Sequence, residues 1–174
     1  LTLSPLQRNL SPERGAELLL YAFERGVTCL DTAELYANYP AIAMALRRWK
    51  GDPILVSTKC YAYDAATALA SLEKALRDMD RDVIDIFMLH EQESEHTLRG
   101  HAEALDYFAT QREKGRIRAL GMSTHFVAGA RAAAKHPLIQ VLHPIYNRRG
   151  MGIADGGRED MESAVADCVA AGIG

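Results

Sequence analysis

The chain has 174 residues, with 20 Lys and Arg against 23 Asp and Glu, a formal net charge of −3 and 48% hydrophobic residues. That composition suits an ordinary globular domain with enough apolar chain for a sizeable core. The mildly acidic balance excludes an electrostatic footprint for DNA, RNA or anionic lipid, and the short basic pairs Arg47-Arg48 and Arg148-Arg149 do not restore one.

No apolar run approaches the roughly 20 residues that span a bilayer, so neither a membrane nor a nucleic acid is expected as a partner. The first residues, Leu1 to Pro5, have neither the positive n-region nor the apolar stretch of a signal peptide. Cys29, Cys60 and Cys168 show neither zinc-site nor CxxC spacing, so free thiols and a cytoplasmic location are expected. The chain begins without Met, as a processed or truncated piece would.

In chain order, Ser11-Pro12-Glu13 opens the first predicted helix, with a Ser N-cap, Pro at the first helical position and an acid in the first turn. Leu19, Leu20 and Phe23 form its apolar stripe, and Gly26 stands where a C′ residue belongs. A strand follows over 27–31 and a short helix over 41–49. A second strand is predicted over 54–58. Asp64 then caps a helix through Ala68, Leu69, Leu72 and Leu76. A third strand covers 83–89, and one helix is predicted over 97–114, with Leu105 and Phe108 inward and Gly115 as its stop. Strands over 117–122 and 139–146 and helices over 127–135 and 158–171 complete the pattern. The acidic stretch 91–96 reads as a solvated loop.

The five strand runs are apolar nearly throughout rather than alternating, as expected of strands buried on both faces of a parallel sheet. Alternation with helices at about thirty residues per unit matches the pitch of a (β/α)8 barrel of ~250 residues. The chain therefore reads as either a small doubly wound sheet or part of a barrel, without an internal linker.

In both architectures the site lies at the C-terminal ends of the strands. There the sequence delivers Asp31 and then Tyr36, Lys59, His90, Ser123-Thr124 and His143. Each alone has a bland reading: a turn-capping acid, a packed loop aromatic, a solvated lysine. Together they fit proton delivery to a carbonyl oxygen. A phenol titrating near ~10 is a weak donor at neutral pH. A neighbouring ammonium lowers that value, and a carboxylate can hold the ammonium in place. An imidazole can orient the carbonyl where negative charge develops.

The segments ERGVTCLDTAELY (24–36), LVSTK (55–59), DVIDIFMLH (82–90) and GRIRALGMST (115–124) resemble, in order and spacing, the successive signatures of the aldo-keto reductase superfamily. The resemblance implies a (β/α)8 TIM barrel, present here as a partial barrel of about five to six βα units over residues 1–174. It lacks the N-terminal strand and the C-terminal strands that hold the cofactor's adenosine phosphate. It also implies reduction of an aldehyde or ketone with NADP(H), with NAD(H) as the alternative cofactor. Asp31, Tyr36, Lys59 and His90 would form the catalytic tetrad, Tyr36 as general acid. Cofactor contacts would fall on Asp31, Ser123, Thr124 and His143.

The sequence departs from the pattern at Thr124, where the family usually has Asn, and at His143, where many members carry Gln. The stretch 142–174 is similar to a bacterial branch that sometimes carries an iron–sulfur region, but no cysteine cluster is present. A piece of this kind is expected to bind NADP(H) poorly. Cys60, Tyr61 and Tyr63 are candidates to line the substrate pocket.

Rival readings are weaker. His90 and His96, six apart in a polar loop, do not make a metal pair on one helix face, and there is no HExxH. The glycines at 150, 152, 156 and 157 form no phosphate cradle. A Schiff-base role for Lys59 leaves Tyr36 and Asp31 without a task. A non-catalytic cofactor-binding or regulatory member of the same fold is the remaining alternative.

Overall fold

The computed structural model describes residues 10–174; the reading of the extreme N-terminus lies outside the described residues. Helix α1 (Pro12–Phe23) is capped by Ser11, whose hydroxyl accepts the Arg14 N–H at 3.3 Å. Gly26 (φ +85°) makes the left-handed turn that leads into β1 (Cys29–Asp31). A 3-10 turn (Glu34–Tyr36) and α2 (Tyr39–Arg48) lead to β2 (Leu55–Cys60). Asp64 caps α3 (Ala65–Met79) by accepting the Thr67 N–H at 2.7 Å. On α3, Ala68, Leu72 and Leu76 are buried and Leu69 is exposed.

Strand β3 (Ile84–Leu89) is followed by two helices, α4 (Glu95–Gly100) and α5 (Ala102–Glu113), where one was expected. The break falls at His101, whose Nδ1 lies 2.7 Å from the Ala62 carbonyl; that tertiary contact holds its backbone away from helical geometry. Strand β4 (Ile117–Thr124), α6 (Val127–Ala133), β5 (Val141–Pro144) and α7 (Arg158–Ala170) complete the chain. Strand β5 is half the length that its apolar run predicted.

The five strands are all parallel and ordered β1-β2-β3-β4-β5, each beside its sequence neighbour. A doubly wound sheet reverses its strand order at a switch point, and this one does not. Nor is it flat. Four strand spacings of about 4.8 Å would separate β1 from β5 by roughly 19 Å. Yet Asp31 Oδ1 on β1 lies 3.5 Å from His143 Nδ1 on β5. The sheet curls until its two edge strands face one another, and the fold is a partial (β/α)8 barrel.

One face of the curled sheet packs on the helices. Val56, Cys60, Phe87, Leu89, Leu120 and Met122 meet Leu19, Phe23, Ile42, Leu72, Leu105 and Phe108 in the main core. Because side chains alternate along a strand, the intervening residues Asp31, Ser57, Lys59, Met88, Gly121, Ser123 and His143 turn towards the inside of the curl. At the N-terminal ends of the strands, buried Asp85 accepts the Val56 N–H at 2.9 Å and pairs with Arg81 at 2.9 Å and Arg118 at 3.2 Å. That rim holds β2 and β3 together and leaves the opposite rim free for chemistry.

Candidate active site

Registers place the polar strand ends side by side. Asp31 pairs with Ser57, and Lys59 is level with Met88, one step before the turn that carries His90. The Lys59 ammonium sits 2.7 and 2.6 Å from the two Asp31 oxygens and 2.7 Å from the Thr32 carbonyl. Its side chain is 3% exposed, that of Asp31 39%. Burial works against ionisation of Asp31, but hydrogen bonds from His143 and Lys59 outweigh it and hold the carboxyl below its ordinary value. Burial lowers the Lys59 pKa, with Asp31 opposing.

Tyr36 ends the 3-10 turn, and Ala37 (φ +48°) then reverses the chain. This places the phenol ring with its centroid 5.5 Å from the Lys59 nitrogen and 5.8 Å, edge-on, from the His90 ring. Asp31, Tyr36, Lys59 and His90 therefore lie together. The expected electrostatic consequence differs, however. Burial, then the charges of Asp31 and Glu91, push the Tyr36 phenol above its ordinary value. The reason is geometric: Lys59 directs its hydrogen bonds at Asp31 and Thr32, not at the phenol.

His90 is 4% exposed. Burial, then the charge of Lys59, lower its pKa to about 4, so the imidazole is neutral at neutral pH. Its Nδ1 has no hydrogen-bond partner among the described residues. A buried polar atom left unpaired is costly.

The four residues assigned to the cofactor divide. Asp31 and His143 face each other inside the curl, His143 half-exposed. Ser123 also faces inward; its hydroxyl accepts the Glu91 N–H at 2.9 Å, which leaves its own hydrogen to donate. Thr124 is fully buried on the helix side, and its hydroxyl bonds the Phe126 N–H at 2.9 Å and carbonyl at 3.1 Å. It is a turn-forming residue, withdrawn from the site. Period-two alternation from Ser123 carried that information.

Of the three pocket candidates, Cys60 is buried in the core, while Tyr61 and Tyr63 line an apolar hollow of about 340 Å³ with Leu35. Tyr61 also stacks on His90, ring centroids 4.7 Å apart. The stretch expected to be a solvated loop holds two residues that belong to the site region: Gln92 is buried, and Glu91 accepts the Tyr61 hydroxyl. Helix α4 begins at Glu95, ahead of the expected start at Thr97. Among the described residues no group of three or more His, Cys, Asp or Glu is placed to hold a metal ion, and no helix is long and apolar enough to cross a membrane.

A curled parallel sheet thus carries a buried ammonium paired with a part-exposed carboxylate, a phenol and an imidazole on its C-terminal rim. Residues 2–148 match the model of the aldo/keto reductase family, and the chain belongs to that family. It is 27% identical over 105 residues to a methylglyoxal reductase of Yersinia pestis, covering 58% of this chain and 36% of that protein. An aldo-keto reductase structure from Pseudomonas aeruginosa superposes with a TM-score of 0.80 at 19% identity, covering 99% of this chain and 68% of that one. The Bombyx mori aldo-keto reductase in complex with NADP superposes with a TM-score of 0.72 at 16% identity, covering 98% and 58%. The chain thus spans little more than a third of the curated relative's length.

Proposed function

We propose that this chain carries the catalytic part of an NADP(H)-dependent reductase of small aldehydes or ketones, with NAD(H) as the alternative cofactor. The observation that carries the reading is the ion pair of buried Lys59 with part-exposed Asp31 beside the Tyr36 ring, with the His90 ring edge-on to the same phenol. A nicotinamide cofactor, when bound, supplies the hydride. The residues present fit its reactive end in part: Ser123 offers a hydroxyl hydrogen and His143 a half-exposed ring, while Thr124 does not fit. The remaining contacts would come from strands that complete the barrel, so residues 1–174 would form a partial domain whose cofactor binding is weak.

Within that frame the roles follow from geometry. Tyr36, with its phenol held above its ordinary pKa, keeps its proton through neutral pH and gives it up only when a stronger base, a developing alkoxide, stands against it. Lys59, anchored by Asp31, supplies fixed positive charge beside the phenolate left behind. Neutral His90, edge-on to the Tyr36 ring, would orient the carbonyl oxygen, and its burial keeps competing water away.

The test is NADPH oxidation by the full natural chain with methylglyoxal and neutral benzaldehydes. Tyr36→Phe is expected to lower kcat by about 10² to 10⁴ with NADPH affinity little changed. Equal turnover in both proteins would remove Tyr36 from the mechanism. The withdrawn hydroxyl of Thr124 favours one second reading, a non-catalytic cofactor-binding member. NADPH binding without turnover of any carbonyl would establish it.

A further inference from the structure

Directly after His90 the backbone takes a left-handed turn at Glu91 (φ +52°), a conformation that non-glycine residues rarely adopt. The turn is held from three sides. The Glu91 N–H bonds Ser123 Oγ at 2.9 Å, Oε2 accepts the Tyr61 hydroxyl, and Oε1 lies 3.9 Å from His125 Nε2. These partners come from the ends of β2 and β4, and they tether a carboxylate whose side chain remains 48% exposed.

Its place relative to the chemistry is set by Tyr61. That ring lies face-on to the His90 ring at 4.7 Å, and its hydroxyl end meets Glu91. The Glu91 charge is felt at Tyr36, where it adds to the rise, and at His90, where it opposes the net fall. Beside it opens a hollow of about 380 Å³ walled by Tyr61, Glu91, Glu93, His125 and Phe126; its lining carries two carboxylates and neither lysine nor arginine. His90, buried and with Nδ1 unpaired, lies behind Tyr61, so Glu91, Tyr61 and the imidazole succeed one another on a single rim.

Resting on the reading of the site as a carbonyl reductase, we propose that Glu91 is a specificity residue. It admits neutral and cationic carbonyl compounds and turns away those with a carboxylate or phosphate close to the carbonyl. The effect is Coulombic. A fixed carboxylate several ångströms from a substrate anion, in the high dielectric of an open hollow, repels it enough to change relative rates about five- to tenfold.

The experiment measures kcat/KM of the full natural chain for three benzaldehydes of like size, substituted at the para position with carboxamide, carboxylate or trimethylammonium. The wild type is expected to reduce the neutral and cationic aldehydes about five- to tenfold better than the anion, with the gap closing at high salt. In Glu91→Gln, which keeps an acceptor for Tyr61, the ratio should fall to within about twofold. Tyr61→Phe, which removes the tether but leaves the charge, should retain most of the discrimination. The inference is overturned by an anion-to-neutral ratio that is the same in wild type and Glu91→Gln, or by Tyr61→Phe losing discrimination as fully as Glu91→Gln. Reduction of none of the three would overturn the carbonyl-reductase reading, and this inference with it.

Discussion

The Lys59–Asp31 pair is asymmetric, and its two halves should respond differently to mutation. The ammonium side chain is 3% exposed and the carboxylate 39%. Removing the carboxylate with Asp31→Ala strands a buried cation, at a cost of about 3 kcal/mol or more. Removing the ammonium with Lys59→Met leaves a carboxylate that water still reaches, so the loss of stability should be clearly smaller. Urea midpoints of the two variants decide the order.

His90 makes a second claim at this scale. Its pKa falls from 6.5 to about 4 in the folded chain. Its neutral form therefore contributes stability fully above pH 6.5, and that contribution is lost as the pH falls towards 4, because the unfolded chain takes the proton first. The loss should reach about 2–3 kcal/mol. Denaturation between pH 7 and pH 4 should show this limb in the wild type and a shallower one in His90→Gln.

At the scale of elements, the turn after β4 explains why α6 starts where it does. Thr124 closes the turn on Phe126, and Asp155 receives the Val127 and Ala128 N–H groups at 2.5 and 2.9 Å. Gly129 then lets the helix pass hard against the loop that carries Gln92. A Cβ there would stand 2.4 Å from both the Gln92 carbonyl and Thr124 Oγ1. Alanine favours a helix interior over glycine by about 1 kcal/mol, so propensity alone predicts that Gly129→Ala stabilises. The collision with backbone outweighs it: the variant should lose about 1–3 kcal/mol, visible as a lower Tm.

The helix starts at Ser11 and Asp64 were legible because a cap is a local signal, one side chain and an N–H three residues on. The division between α4 and α5 was not, because its cause is His101 reaching Ala62 across the fold, while the apolar spacing continues through the break.

For the whole molecule, a parallel sheet was legible in apolar runs that do not alternate, the resemblance to the aldo-keto reductases decided for a barrel over a doubly wound sheet, and strand-end chemistry pointed at Asp31, Tyr36, Lys59 and His90. What the chain order concealed is how charges share space. Asp31 was expected to hold Lys59 and does, but the further bond of the ammonium to the Thr32 carbonyl was not foreseen. Glu91, within a run of acids that looks solvated, is locked by Tyr61 and approached by His125 because the ends of β2, β3 and β4 converge on one rim. Such meetings depend on curvature, which no local pattern records.

The approach of His143 to Asp31 has a consequence for how the molecule is made. Each strand pairs with its sequence neighbour, so most of the sheet can assemble from short-range contacts as the chain lengthens. Asp31 and His143 are more than a hundred residues apart, and they meet only after four successive pairings have formed and bent. A chain still emerging from the ribosome thus holds helices, strands and even its lysine–aspartate pair before the last partner of that aspartate exists. The carboxylate that anchors the lysine therefore gains its histidine partner only when β5 docks.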